Sequence, residues 1–352
     1  MSKYWLLSHK ATLPIATEIT ATLVISLRNE SKNISNLELA IKGITYPFFE
    51  TILIDDHSED ETFMKLQKSF EGFESIKILR NPGIGKKAAI DYAIASSKGQ
   101  IILTSDADCI WGSAWVNQML KDFEDPEIKL VAGPVLSKQI PGFLGGFQLI
   151  EWASLLLVTN FGFAIQKPIT CSAANFAYRK SAFEEVGGFQ GNEKNPSGDD
   201  EFLLKKIIER FGVTAVLYQP FKENLVVTEP ESSWKSLISQ KIRWAGKWNS
   251  HASLIHNTFS IIPFIFQMIW LSSFSLLFVG KFGVLAFSLI WSFKIFAESL
   301  AFRRILRSLE NPFRLSDALL TSIIHPFYVV GIGMGILRGK YVWKGRENRR
   351  SD

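Results

Sequence analysis

The stretch Gln100–Cys109, QIILTSDADC, runs from the aliphatic residues Ile101–Leu103 directly into two aspartates, Asp106 and Asp108, separated by one alanine. A strand buried on both faces has no use for carboxylates, so this pair belongs to the strand's end. There it offers two hard oxygen ligands side by side. Mg2+ or Mn2+ takes such ligands and leaves its other positions to water and a diphosphate. The alternative for an isolated D-x-D is a solvated loop or the cap of the next helix.

Three further stretches carry the same ambiguity. Asp55 and Asp56 close the run TILIDD and lead into HSED, a sequence that suits a turn or a helix cap, with His57 as a polar turn residue. NPGIGKKAAI is a glycine-rich loop that enters a helix with Lys86 and Lys87 at its start, as a phosphate site would. It is not a Walker A loop, because no Ser or Thr follows the lysines and the spacing differs. In SGDDEFLLKKI, Asp199 and Asp200 precede an apolar helix, and capping accounts for one of them.

The elements that must position these residues alternate. Short β-branched runs at 21–27, 51–56, 75–80 and 100–106 are separated by segments of helical period at 34–44, 61–70 and 86–97, and another follows at 113–123. This pattern predicts a Rossmann-like, doubly wound, mostly parallel α/β sheet, with RNE, DDHS and SDAD at the carboxyl ends of its strands, where such sheets bind ligands.

The chain has 352 residues, enough for one large domain or two smaller ones, and is rich in aromatics, with 28 Phe and 10 Trp. A formal net charge of +5 gives no argument for a nucleic-acid partner. Two cysteines, Cys109 and Cys171, make no disulfide framework and suit a reducing compartment. The first twenty residues contain no apolar run of signal-peptide length, so export is not expected.

Hydropathy divides the chain. Residues 1–257 read as a cytoplasmic domain that ends in an amphipathic segment, 231–250. There Trp234, Leu237, Ile238, Ile242, Ala245 and Trp248 share one face, which suits either an interfacial helix or a helix packed on the core. The apolar stretch 142–165 carries paired glycines, Glu151 and Asn160, and is expected to be a buried or membrane-surface helix rather than a span. Residues 258–337 form a membrane region with two or three hydrophobic segments: 258–280, 282–302 and 318–337. Lys294 and Glu298 stand four apart in the second, a spacing at which they pair. Residues 338–352 are a basic tail. The positive-inside rule places both RRILR and this tail in the cytoplasm, which requires the third segment to bend or re-enter at Pro326.

Taken together, VISLRNE, ILIDDHSED, GKKAAI, TSDADC, SAANFAYRKSAFEEVGGF, GDDEFL and QKIRW resemble, in order, the motifs of family 2 glycosyltransferases, the inverting enzymes of the GT-A fold. The last piece is similar to the Q-x-x-R-W signature of membrane-associated members, among them ceramide glucosyltransferase and the processive polysaccharide synthases. The resemblance implies a membrane-bound enzyme of the hexosyltransferase class. It would move a sugar from a nucleotide-diphosphate sugar, by family habit a UDP-sugar, to a hydroxyl of a lipid or lipid-linked acceptor with a divalent cation, Mn2+ or Mg2+.

The same resemblance assigns roles. Asp56, with Asp55, Asn29 and Glu30 nearby, meets the base or ribose, and Lys86 and Asp106 lie at the nucleotide-sugar. Asp108 with Asp106 holds the metal, and Asp200, or Asp199 beside it, is the catalytic base. Asn175 lines the sugar and acceptor pocket, and Gln240, Arg243 and Trp244 close over the diphosphate and acceptor. The sequence has DDHS where DDGS is usual, which puts His57 near the base or ribose. The implied location is a multi-pass protein of the bacterial inner membrane with its catalytic domain in the cytoplasm. A processive polysaccharide synthase built on the same site is the second reading. A nucleotidyltransferase would show a glycine- and arginine-containing loop at the first strand, which VISLRNE lacks.

Overall fold

Burial on both faces explains the first strands. In β1 (Ala21–Leu27), β2 (Phe49–Asp55) and β4 (Ile101–Thr104), aliphatic side chains alternate across a sheet whose two sides are both covered, and Leu23, Ile25, Ile52, Leu53, Ile102 and Leu103 are fully buried. The computed structural model describes residues 5, 18–192, 198–245, 264–337, 340–343 and 346–349. The chain forms two compact units, Met1–Lys138 with Leu155–Glu229, and Gln139–Ser154 with Pro230–Asp352.

In the first unit, α1 (Ile34–Lys42), α2 (Thr62–Ser69), β3 (Ile76–Arg80) and α3 (Lys86–Ala95) complete the expected alternation. After β4 come β5 (Cys109–Trp111), α4 (Trp115–Leu120), β6 (Leu130–Ala132) and β7 (Val135–Ser137). The long helix α5 (Phe143–Ala164) precedes β8 (Phe176–Arg179), α6 (Lys180–Glu185), α7 (Asp199–Phe211), β9 (Val216–Tyr218) and β10 (Val226–Thr228).

Seven strands form one sheet in the order β3-β2-β1-β4-β8-β6-β9. Every neighbouring pair is parallel except those of β8, which runs antiparallel to β4 and β6. The fold is therefore the mostly parallel α/β sheet expected from the sequence. Register sets the site. Leu27 pairs with Asp55 and Asp55 with Arg80, so β1, β2 and β3 end level at one edge, while Thr104 pairs with Val24 and sends Ser105–Asp108 along that edge. A second sheet, β5-β10-β7, pairs Thr228 with Cys109 and so fixes the chain just beyond Asp108.

The second unit contains the start of α5, α8 (Trp234–Ala245), α9 (Gly280–Ser308) and α10 (Leu315–Leu337), followed by the hairpin β11 (Lys340–Trp343) and β12 (Arg346–Arg349). Among the described residues three helices, α5, α9 and α10, are long and apolar enough to cross a membrane, with 56%, 11% and 28% of their most apolar windows buried in the protein. The candidate span 258–280 begins outside the described residues, and its described part holds a shorter apolar helix, Phe264–Phe278. Gly280 (φ +72°) then turns the chain into α9, and the Trp291 indole donates back to Ser273 Oγ at 2.9 Å. The expected pair is present: Lys294 Nζ lies 2.8 Å from Glu298 Oε2 and donates to the Ser322 carbonyl of α10 at 3.0 Å.

The segment 315–337 is helical on both sides of Pro326, and a helix of 23 residues is about 34 Å long, enough to span a bilayer core. In the described part of 231–250, Leu237 is buried among Phe147, Tyr328 and Ile332, and Ile242 and Ala245 pack beside them, while Trp234 and Ile238 are exposed; Trp248 lies outside the described residues. The boundary between the compact units falls at Glu229.

The stretch 142–165 owes its glycines to the same packing. A Cβ on Gly146 would lie 2.3 Å from the Asp317 carboxyl of α10. Glu151 pairs with Lys241 of α8 at 3.1 Å, with the side chains 8% and 7% exposed, and the Lys241 ammonium lies 4.2 Å from the Trp244 ring centroid. Breaking such a pair leaves an uncompensated buried charge. Lys241→Met is therefore expected to destabilise the protein by about 3–5 kcal/mol. The double variant Lys241→Met/Glu151→Leu should recover most of that loss, as read by thermal unfolding in detergent.

Candidate active site

Arg28, at the end of β1, organises the sheet edge. Its buried guanidinium donates to the carbonyls of Asp56 (3.0 Å) and His57 (2.6 Å) and pairs with Glu59 at 2.7 Å. Two loops that diverge after β1 and β2 are thereby held together. Asn29 (φ +52°) and His57 (φ +56°) both take the left-handed conformation, which Asn and His tolerate better than bulky residues. Asn29 Oδ1 accepts from Glu59 N at 2.8 Å, and the His57 ring Nε2 meets the Gly83 carbonyl at 2.7 Å. The His57 side chain thus ties one turn to another. Glu30 is buried and accepts from the Asn33 amide at 2.6 Å.

Asp56 is 1% exposed, and its Oδ1 accepts from Asn81 Nδ2 (2.8 Å) and from the backbone N–H of Gly85 (2.9 Å). It anchors the glycine-rich loop. Asp55 accepts from Ser58 N at 3.2 Å through Oδ2, while its buried Oδ1 has no hydrogen-bond partner among the described residues. Gly85 (φ +94°), a conformation that favours glycine, starts α3 and delivers Lys86.

Lys86 joins what the sequence scatters. Its Nζ lies 2.7 Å from Asp106 Oδ1 and 3.8 Å from Asp199 Oδ2. Burial works to lower the pKa of this ammonium, but the negative charges of Asp106, Asp199 and Asp200 outweigh it and push the pKa up, so Lys86 stays charged.

Asp106 is open, its side chain 43% exposed, while Asp108 Oδ2 accepts from the Thr228 hydroxyl at 3.3 Å. Cys109 Sγ lies 3.7 Å from Asp108 Oδ1, and burial, then the charges of Asp108 and Asp106, raises its thiol pKa and keeps it a donor. Among the described residues no group of three or more His, Cys, Asp or Glu side chains could hold a metal by itself. Two carboxylates at an open strand end nonetheless fit a cation that draws its other ligands from a diphosphate and water.

The segment Ala173–Asn175 connects this strand end to the second acidic pair. Thr104 and Ser105 hydroxyls donate to the carbonyls of Ala173 and Ala174, both at 2.8 Å, and Ala173 N donates to Asp200 Oδ2 at 3.2 Å. Asp199 and Asp200 open α7 after Gly198 (φ +87°), and both are largely buried.

Asn175 lies within this segment, with its side chain turned into the protein. It is 0% exposed, accepts from the Trp115 indole at 2.9 Å, and donates to the carbonyls of Pro134 (2.8 Å) and Asn224 (2.6 Å). Gly133 makes room for it, since a Cβ there would lie 2.4 Å from the amide nitrogen. Its side chain holds the segment in position. Gln240, Arg243 and Trp244 stand on α8 in the second unit, where the Gln240 amide donates to Glu231 at 2.9 Å. Arg28 and Asn81 were not singled out by sequence reasoning, although both flank recognised stretches, RNE and NPG.

The sheet edge and its acidic and lysine residues are those of a GT-A-like fold, and residues 22–187 match the family described as Glycosyl transferase family 2. Over 245 residues the chain is 24% identical to the poly-beta-1,6-N-acetyl-D-glucosamine synthase of Staphylococcus aureus (strain COL), covering 68% of this chain and 56% of that protein. It is 26% identical over 252 residues to the probable glycosyltransferase YdaM of Bacillus subtilis (strain 168), covering 64% of this chain and 54% of that protein. The chain thus spans little more than half the length of these curated relatives. Its fold resembles that of the mannosyltransferase PcManGT from Pyrobaculum calidifontis, solved in complex with GDP-Man and Mn2+. That match has a TM-score of 0.55 and 16% identity, over 96% of this chain and 92% of that one.

The buried amide of Asn175 gives a test that separates architecture from chemistry. Asn175→Leu leaves the Trp115 N–H and two carbonyls unpaired and should destabilise the protein by about 3 kcal/mol or more. Thermal unfolding of detergent-purified protein reads this directly.

Proposed function

We propose that this chain is a membrane-bound inverting glycosyltransferase that moves a sugar from a nucleotide-diphosphate sugar to a hydroxyl of a lipid or lipid-linked acceptor at the cytoplasmic face. One observation carries the reading. Lys86 holds Asp106 of the D-x-D pair and Asp199 of the second pair together at the carboxyl edge of the sheet. Donor-binding and base-bearing residues then serve one reacting centre.

In this reading Asp55, Asp56 and Asn29 face the nucleoside, and Asp55 Oδ1, buried without a partner among the described residues, is an acceptor for a base or ribose donor. Asp108 and Asp106 would hold Mn2+ or Mg2+, which when bound offsets the charge that grows on the departing diphosphate. Asp200, with Asp199 as its neighbour, takes the proton of the acceptor hydroxyl. The hydroxyl oxygen forms the new bond to the anomeric carbon from the face opposite the nucleotide, and the bond from that carbon to the phosphate oxygen breaks. Lys86 supplies positive charge toward the leaving group, and Gln240, Arg243 and Trp244 keep the diphosphate and acceptor role that the resemblance implies. A UDP-sugar is the proposed donor.

The apolar helices α9 and α10 support a multi-pass protein of a bacterial inner membrane, where a lipid acceptor is at hand. Similarity to a polysaccharide synthase favours a second reading, processive polymerisation at the same site.

Asp108→Asn should abolish metal-dependent donor turnover, a loss of roughly a hundredfold or more, without changing the unfolding temperature. Wild-type turnover in that variant contradicts the metal assignment. Asp200→Asn should still bind donor, by calorimetry, yet not transfer. Near-normal transfer moves the role of base to Asp199.

A further inference from the structure

One buried polar group near the acidic pair has no part in the reading above. Tyr178 lies on β8, its ring packed between Phe176 (centroids 5.4 Å apart) and Phe183 (5.5 Å), and it is 1% exposed. Among the described residues its hydroxyl has no hydrogen-bond partner. A buried hydroxyl in that state is costly, and phenylalanine would fill the same apolar space without the cost. Tyr178 also lines a small cavity together with Thr104, Ala173, Asp199 and Asp200. Thr104, Asp199 and Asp200 line this space with Tyr178, and a buried water needs two to four polar partners.

We propose that Tyr178 is a positioning residue for the base: its hydroxyl donates, through a water held in this cavity, to the Asp199–Asp200 pair. The inference rests on the functional reading above and adds a residue to it. Burial, then the negative charges of Asp199 and Asp91, pushes the Tyr178 phenol pKa well up, so it remains a donor throughout the working range. The Thr104 hydroxyl already donates to the Ala173 carbonyl, which leaves it as an acceptor for the same water.

Among the described residues, Lys86 of α3 faces the pair, with Asp106 on the other side of its ammonium, while Asp91 of α3 acts on Tyr178 itself. A neutral donor from the β8 side adds a directed bond to the charge that Lys86 supplies, and it fixes the direction in which the base presents its lone pair.

Tyr178→Phe keeps the ring and removes only the oxygen. In a transfer assay run across pH on detergent-purified protein, kcat should fall by about tenfold with little change in donor KM. Because a donor to a carboxylate favours its charged form, the acid limb of the profile should move up by about half a pH unit. A wild-type kcat and an unshifted limb overturn the inference while leaving the functional reading intact.

If the wild-type protein transfers nothing, the functional reading fails, and thermal unfolding still decides the hydrogen bond. A hydroxyl that donates a bond stabilises the fold, whereas a buried unpaired one destabilises it, so Tyr178→Phe should lower the unfolding temperature at about pH 7. An unchanged or raised unfolding temperature overturns the inference.

Discussion

One ammonium group sets the geometry of the acidic edge. Asp106 and Asp199 reach the same place from β4 and α7, and without a cation between them their charges would drive the two elements apart. Lys86 lies against both, and its own position follows from a chain of contacts that begins at β1. Arg28 clasps the loop after β2, that loop presents Asp56, Asp56 holds Asn81 and Gly85, and Gly85 starts the helix that carries Lys86. The level ends of β1, β2 and β3 make this relay short enough to be rigid.

A second, neutral relay runs beneath the first. Thr104 and Ser105 fasten the end of β4 to the carbonyls of Ala173 and Ala174, and the same segment gives its Ala173 N–H to Asp200. Asn175 plugs the back of that segment through three buried hydrogen bonds. The aspartate pair after β4 and the pair that opens α7 are therefore coupled twice, once by charge and once by backbone. A reaction that needs a leaving group and a base at fixed separation profits from such double coupling.

Much of this was legible in the sequence, because period and punctuation are local. The aliphatic run at 21–27 coincides with β1, and the carboxylates that end other runs do stand at the sheet's binding edge. Long-range use of polar side chains was not legible. Nothing in the sequence tells that Trp115, Pro134 and Asn224 use the Asn175 amide. Lys241 reads as one more cation of an amphipathic helix until Glu151 of α5 is found opposite it. Pro326 lies inside α10, as prolines do in apolar helices when neighbouring elements compensate for the lost backbone bond.

The central claim is that the edge built around Lys86 binds and activates a nucleotide-diphosphate sugar. The most direct measurement is nucleotide diphosphate release by detergent-purified protein from a panel of UDP- and GDP-sugars with Mn2+ or Mg2+, with and without total membrane lipid. The account predicts metal-dependent release from one donor, stimulated by lipid. Release without lipid and with a growing polymer would assign the same site to a synthase. No release from any donor, with or without lipid and with either metal, would contradict the account.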